Sequence, residues 1–114
     1  MKGVSLLIRA TCEQFRFTLP YMVSQVEKVQ ILFWQKTDDG ETYISRIEKC
    51  LDDCYKNPDS KQISVTLNQE ETRSFSADRR AFVQLRGLTS DGIAFGSREQ
   101  PITVYPVEDD TILE

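Results

Sequence analysis

Asp39-Gly40 and Asp91-Gly92 each divide two stretches in which apolar and polar residues alternate. A tight turn set between two runs of period two leaves room for little besides antiparallel β-hairpins. Glycine supplies the positive φ that such turns demand, and alternation places every second side chain on one sheet face. A chain of 114 residues written this way fits one domain, residues 1–114, around one core.

The strands follow the alternation. Over residues 14–19, Phe15, Phe17 and Leu19 share one face, Arg16 and Thr18 the other, and Pro20 ends the run. Residues 28–36 place Val29, Ile31 and Phe33 on one face and Gln30, Leu32 and Trp34 on the other. A strand apolar on both sides is either central in a sandwich or covers a partner surface. After the turn at 37–40, residues 41–49 return as its hairpin partner. There Tyr43, Ser45 and Ile47 alternate with Ile44, Arg46 and Glu48, and neither set is marked as the inner one. Residues 51–60 hold Asp52-Asp53 and Asn57-Pro58-Asp59-Ser60, which read as a long exposed loop.

Residues 62–67 alternate Ile63, Val65 and Leu67 with Ser64 and Thr66. Asn68-Gln69-Glu70-Glu71 then has the form of a capping box and predicts a short helix over 69–75, with its acids at the positive end of the helix dipole. That helix would carry the chain from one sheet to the other, with Phe75 as its inward anchor. Residues 80–88 resume alternation, with Ala81, Val83 and Leu85 opposed to Phe82, Gln84 and Arg86; residues 93–96 turn back on them, and 102–105 form the last strand before Pro106. The end, 106–114, is acidic at Glu108, Asp109, Asp110 and Glu114 and reads as a solvated, flexible tail, with Thr111-Ile112-Leu113 as an alternative docking segment.

About seven short strands and one short helix describe an all-β, immunoglobulin-like antiparallel β-sandwich. Its predicted core is Phe15, Phe17, Val29, Ile31, Phe33, Ile63, Val65, Leu67, Val83, Leu85, Ile102 and Val104.

Composition narrows the chemistry. The chain has no histidine, the side chain most often used for acid-base work at neutral pH. Its adjacent carboxylates, such as Asp38-Asp39 and Glu70-Glu71, point to opposite faces on extended backbone and make poor dyads. It carries no calcium loop, phosphate-cradling glycine loop or nucleophile elbow. No enzymatic activity, metal or cofactor is expected. Cys12, Cys50 and Cys54 are odd in number with a C-x3-C pair, and are expected as reduced thiols, with Cys50 or Cys12 packing as a small hydrophobe. A net charge of −4 argues against binding along a nucleic-acid backbone. The apolar run 4–8 is cut by Arg9 and is too short for a secretory signal, and no stretch approaches the ~18 apolar residues that span a bilayer. Cytosolic synthesis without membrane association is the expectation.

Leu32, Trp34, Tyr43, Tyr55 and Tyr105 remain as a candidate partner surface, since exposed aromatics bind protein partners or sugars. If Val29, Ile31 and Phe33 face the core, Leu32 and Trp34 form an outer apolar patch, unless the N-terminal segment folds over Trp34.

The order of the segments carries a resemblance. Phe15-Arg16-Phe17-Thr18-Leu19-Pro20 is followed by Lys28-Val29-Gln30-Ile31, by Ile63-Ser64-Val65-Thr66-Leu67-Asn68-Gln69-Glu70-Glu71-Thr72, and by Val83-Gln84-Leu85-Arg86 with Leu88-Thr89-Ser90-Asp91-Gly92. This resembles small prophage-encoded proteins of Gram-positive gut bacteria and, more loosely, the β-sandwich domains at the N-termini of phage baseplate proteins; the stretch 50–60 departs from it. The resemblance implies a structural or assembly role in a phage tail, baseplate or neck, with domains packing by faces or edge strands, residues 102–105 being the candidate edge. The competing expectation is a carbohydrate-binding sandwich.

Overall fold

Alternation becomes strand wherever the sequence predicts it, and at two further places. The computed structural model describes residues 5–114. In chain order the elements are β1 (Ser5–Ile8), β2 (Glu13–Thr18), β3 (Val26–Lys36), β4 (Tyr43–Cys50), β5 (Tyr55–Lys56), β6 (Gln62–Leu67), α1 (Gln69–Arg73), β7 (Ala81–Thr89), β8 (Ala94–Gly96) and β9 (Gln100–Tyr105). The larger sheet runs β1-β9-β7-β3-β4 with β8 also beside β7, and the smaller runs β2-β6-β5. The fold is the expected all-β sandwich with one short helix, and β1 and β5 are added to the seven predicted strands.

β1 changes the topology. It pairs with β9 in parallel, from Ser5 opposite Ile102 to Ile8 opposite Tyr105, while the other pairings are antiparallel. The last strand is therefore not the outer strand of the sheet: β7 pairs with its residues 100–102 and β1 with residues 102–105, so the expected edge at 102–105 is taken on one side by β1. Leu7, fully buried, explains why so short a segment holds. Val4, which opens the N-terminal apolar run, lies outside the described residues.

The segment 51–60 is likewise no simple exposed loop. Leu51–Asp53 form a single 3-10 turn whose Leu51 packs on the core; Cys54 is buried, and Tyr55 and Lys56 pair with β6. Two apolar anchors, Leu51 and Cys54, pull the polar stretch against the sheet.

Between the sheets lies one hydrophobic core, to which every predicted core residue contributes. Phe15 of the smaller sheet meets Phe33 of the larger with ring centroids 5.0 Å apart. β4 puts Ser45 and Ile47 inward, but Tyr43 leaves that set. A bulge makes Gln35 pair with Ser45 and Lys36 with Tyr43, skipping Ile44. Tyr43 consequently lies on the outer face, where the Lys36 ammonium sits 5.0 Å from its ring centroid.

The first Asp-Gly turn is fastened by its own side chain. Gly40 has φ +73°, and the Asp39 carboxylate accepts from the Thr37 hydroxyl at 2.6 Å and the Glu41 amide at 2.8 Å. The Thr37 hydroxyl first, and then the Glu41 amide, hold this carboxyl below its ordinary range. A depressed acid contributes stability above its unfolded pKa and loses it as pH falls through the folded value.

The capping box forms as predicted. Asn68 Oδ1 accepts from the Glu71 amide at 2.9 Å, and the Asn68 amide donates to Glu71 Oε1 at 3.0 Å. Asn68→Ala is expected to cost about 1 kcal/mol in urea unfolding, and an unchanged midpoint would show the cap to be idle. The helix stops at Arg73, short of the predicted 75. Phe75 has to turn into the core, where it is buried, and the Ser76 amide donates to the Gln35 side chain at 2.6 Å instead of to a helix carbonyl. The acidic tail is exposed for much of its length yet tied down. Arg9 pairs with Asp110 at 3.0 Å, and the Gln69 amide exchanges two hydrogen bonds with the backbone of Leu113.

Candidate interaction surface

β3 lies between β7 and β4 and buries Val29, Ile31 and Phe33, so its alternate residues must emerge on the outer face of the larger sheet. Trp34 stands directly opposite Phe82 of β7, and the two rings stack with centroids 5.7 Å apart and planes inclined by 28°. Phe82 in turn faces Pro101 of β9. Further along β9, Thr103 and Tyr105 lie opposite Leu6 and Ile8 of β1. Leu6 is 45% exposed, Ile8 36% and Tyr105 48%. An apolar stripe thus crosses the sheet from Trp34 through Phe82 and Pro101 to Leu6, Ile8 and Tyr105.

Polar groups border it. On β4, Arg46 pairs with Glu48 at 3.6 Å. Toward the other end, the Arg86 guanidinium donates twice to Gln30 Oε1, at 2.8 and 3.0 Å. Leu32 is half-buried between Gln84 and Glu48 in register. An apolar centre with a polar border is the anatomy of a protein interface.

Four of the five predicted surface residues therefore share this face: Leu32, Trp34, Tyr43 and Tyr105. Tyr55 does not; it sits on β5 in the smaller sheet, 82% exposed. The N-terminal segment, as far as it is described, does not fold over Trp34. It joins the sheet as β1, with β9 and β7 between it and β3, and extends the apolar face. Leu6, Ile8 and Phe82 were missing from the predicted surface. Phe82 was legible on the outer set of its strand, whereas Leu6 and Ile8 acquire a face only once β1 finds β9.

The outermost strands of this sheet are poor templates for edge pairing. β4 carries Arg46, Glu48 and Lys49, and Lys49 is bound to Glu71 of α1 at 2.8 Å. On β1 the Ile8 amide donates to the Glu13 carboxylate at 3.2 Å, and the Ile8 carbonyl accepts from the Thr11 hydroxyl at 2.7 Å.

The cysteines are all free, but their burial is the reverse of the expectation. Cys12 and Cys50 are exposed, and Cys54 is buried, because the 3-10 turn between the C-x3-C pair sends the second thiol inward. Burial pushes the Cys54 thiol up to about 11. A thiol-reactive dye should modify Cys12 and Cys50 in the native protein and reach Cys54 only on unfolding; three equally fast thiols would contradict this packing. The sign for stability follows from an acid whose folded pKa is raised. Stability should hold below about pH 9, where Cys54 is neutral in both states, and decline between 9 and 11, and Cys54→Ala should remove that loss.

Among the described residues, no group of three or more Cys, Asp or Glu side chains is placed to hold a metal ion, and no helix is long and apolar enough to cross a membrane. No protein-family model matches the chain, and no curated protein matches its sequence.

Proposed function

We propose that this protein is a non-enzymatic assembly module that packs the outer face of its larger sheet against further copies of itself, as a structural part of a phage tail, baseplate or neck. The observation that carries the assembly reading is the apolar stripe from Trp34 to Tyr105. Contiguous exposed apolar surface rimmed by polar groups costs solvation in an isolated chain and is recovered when a partner covers it. The setting in a phage particle is supported by the resemblance in segment order between residues 15 and 104.

The chemistry of the face suits a self-complementary contact. A two-fold axis through the stripe would set aromatic and aliphatic side chains against their own copies. The Arg46 and Glu48 pair at the border offers both signs of charge, so one copy can present to the next what it needs in return. The pairing of β9 with β1, and the charged β4, direct assembly to faces and away from strand addition.

Light scattering on a size-exclusion column, over a wide concentration range, tests this. A mass that is a multiple of the monomer's, falling to the monomer on Tyr105→Lys, is the expected result. A monomer at every concentration would remove self-assembly.

A further inference from the structure

The outer face of the smaller sheet presents a second surface, opposite the first and unused by it. β6 runs between β2 and β5, and its Ser64 lies in register with Arg16 on one side and Tyr55 on the other. A short side chain flanked by two long ones leaves a trough, and a depression of about 370 Å³ lies over Ser64. This is at the lower end of the range for small-molecule sites, enough for one or two sugar rings.

The lining is specific in character. Ser64 forms the floor, and the Gln14 amide donates to its hydroxyl at 3.3 Å. Tyr55 stands at one side with its ring open to solvent. Asn57 uses its side-chain oxygen to accept from the Asp59 amide at 3.0 Å, which leaves its NH2 group available. Arg16 has no ion-pair partner among the described residues. Lys56 also borders the trough, although its ammonium donates to the Leu51 carbonyl at 3.1 Å, so Arg16 is the cation left for a ligand. No carboxylate lines the trough, in a chain whose net charge is −4. A cationic, acid-free recess on an acidic protein selects for a negative ligand group.

We infer that this trough binds an acidic saccharide, a hexuronic acid or an oligomer containing one. The C–H face of a pyranose ring packs on an exposed aromatic ring such as Tyr55. Side-chain amides of Gln14 and Asn57 both donate and accept, which matches sugar hydroxyls. The guanidinium of Arg16 is a planar fork that receives a carboxylate through two hydrogen bonds. A neutral sugar leaves that fork unmatched, and a lone carboxylate ion leaves Tyr55 unused. The ring, the amides and the cation together specify the class. The recess is shallow, so a Kd of about 1 mM is expected for a single ring.

The test is an NMR titration of the full chain with digalacturonic acid, with galactobiose as the neutral counterpart and acetate as the lone carboxylate. Expected are saturable amide shifts confined to β2, β5 and β6 around Arg16, Ser64 and Tyr55, with binding of galactobiose weaker by about tenfold or more. Arg16→Gln and Tyr55→Ala should each weaken digalacturonate binding by a similar factor. Both side chains are exposed, so the two variants are expected to melt as the parent does, and their amide spectra report folding directly. Absence of saturable shifts well above 1 mM, shifts that persist undiminished in both variants, or an equal response to acetate would overturn the inference. The outcome is independent of the assembly reading, because the trough lies on the opposite face.

Discussion

Phe33→Ala is expected to be the most destabilising truncation in the core, removing about 3–5 kcal/mol of stability. Phe33 is fully buried on β3, between β7 and β4 in the larger sheet, and its ring meets Phe15 across the core with centroids 5.0 Å apart. Truncation removes a whole aromatic side chain and leaves a cavity between two sheets that hydrogen bonding holds in place, so collapse is restricted. The cost is about 3–5 kcal/mol, set against a total stability of about 5–15 kcal/mol for a domain of this kind. Phe33→Leu should retain much of that packing and give a protein that unfolds cooperatively at a lower urea midpoint. The comparison of the two variants by urea unfolding is informative whichever one folds. A loss below about 1 kcal/mol for Phe33→Ala would mean that the centre of the core lies elsewhere.

Gln35→Met should be nearly as damaging, for a different reason. Gln35 follows Val29, Ile31 and Phe33 on the inward face and is fully buried. Its Nε2 donates to the carbonyls of Ser76 and Arg79 at 2.8 and 2.9 Å, and its Oε1 accepts from the Ser76 amide at 2.6 Å. One side chain thereby satisfies three backbone groups in the connection between α1 and β7. Methionine matches the volume but offers none of these bonds, and the stranded backbone groups cost about 2–4 kcal/mol in total. Gln35→Glu should make the same site sensitive to pH. It keeps the acceptor for the Ser76 amide but turns a carboxylate oxygen toward two carbonyls, an arrangement that favours the protonated acid. The sign is that of an acid with a raised folded pKa, so this variant should gain stability relative to the parent as pH is lowered from 7 toward 4. Equal urea midpoints for Gln35→Met and the parent would show that the connection is held by other contacts.

These two residues mark where the sequence is readable and where it is not. Phe33 belongs to a period-two apolar set; alternation identifies the buried faces of β2, β6 and β7, but on β3 Leu32 and Trp34 make the opposite set apolar too, so which face is inner is decided only by the packing of the two sheets. The capping box at Asn68 and Glu71 is equally local, four residues whose side chains serve one another. Gln35 occupies the same inward set but is polar, and its partners lie about forty residues downstream, so nothing nearby in the chain announces its burial. β1 fails to announce itself for the same reason. Four residues form a strand only because β9, some hundred positions later, offers a parallel neighbour. The predicted surface follows suit. Alternation puts Trp34 and Leu32 together on one face of β3 without saying that it is the outer one, Tyr43 joins them through a bulge that skips Ile44, and Tyr55 is assigned to the other sheet by a two-residue strand hidden in a polar segment.

The parallel pairing of β1 with β9 bears on how the domain would respond to tension. The two strands lie side by side, one near each end of the described chain, and run in the same direction. Forces applied ahead of β1 and beyond β9 pull them lengthwise past each other. Every rung from Ser5 opposite Ile102 to Ile8 opposite Tyr105 is then strained together, whereas a hairpin pulled from its open end peels one rung at a time. A sandwich stitched this way resists stretching in the manner of a lap joint, loaded along its whole length at once.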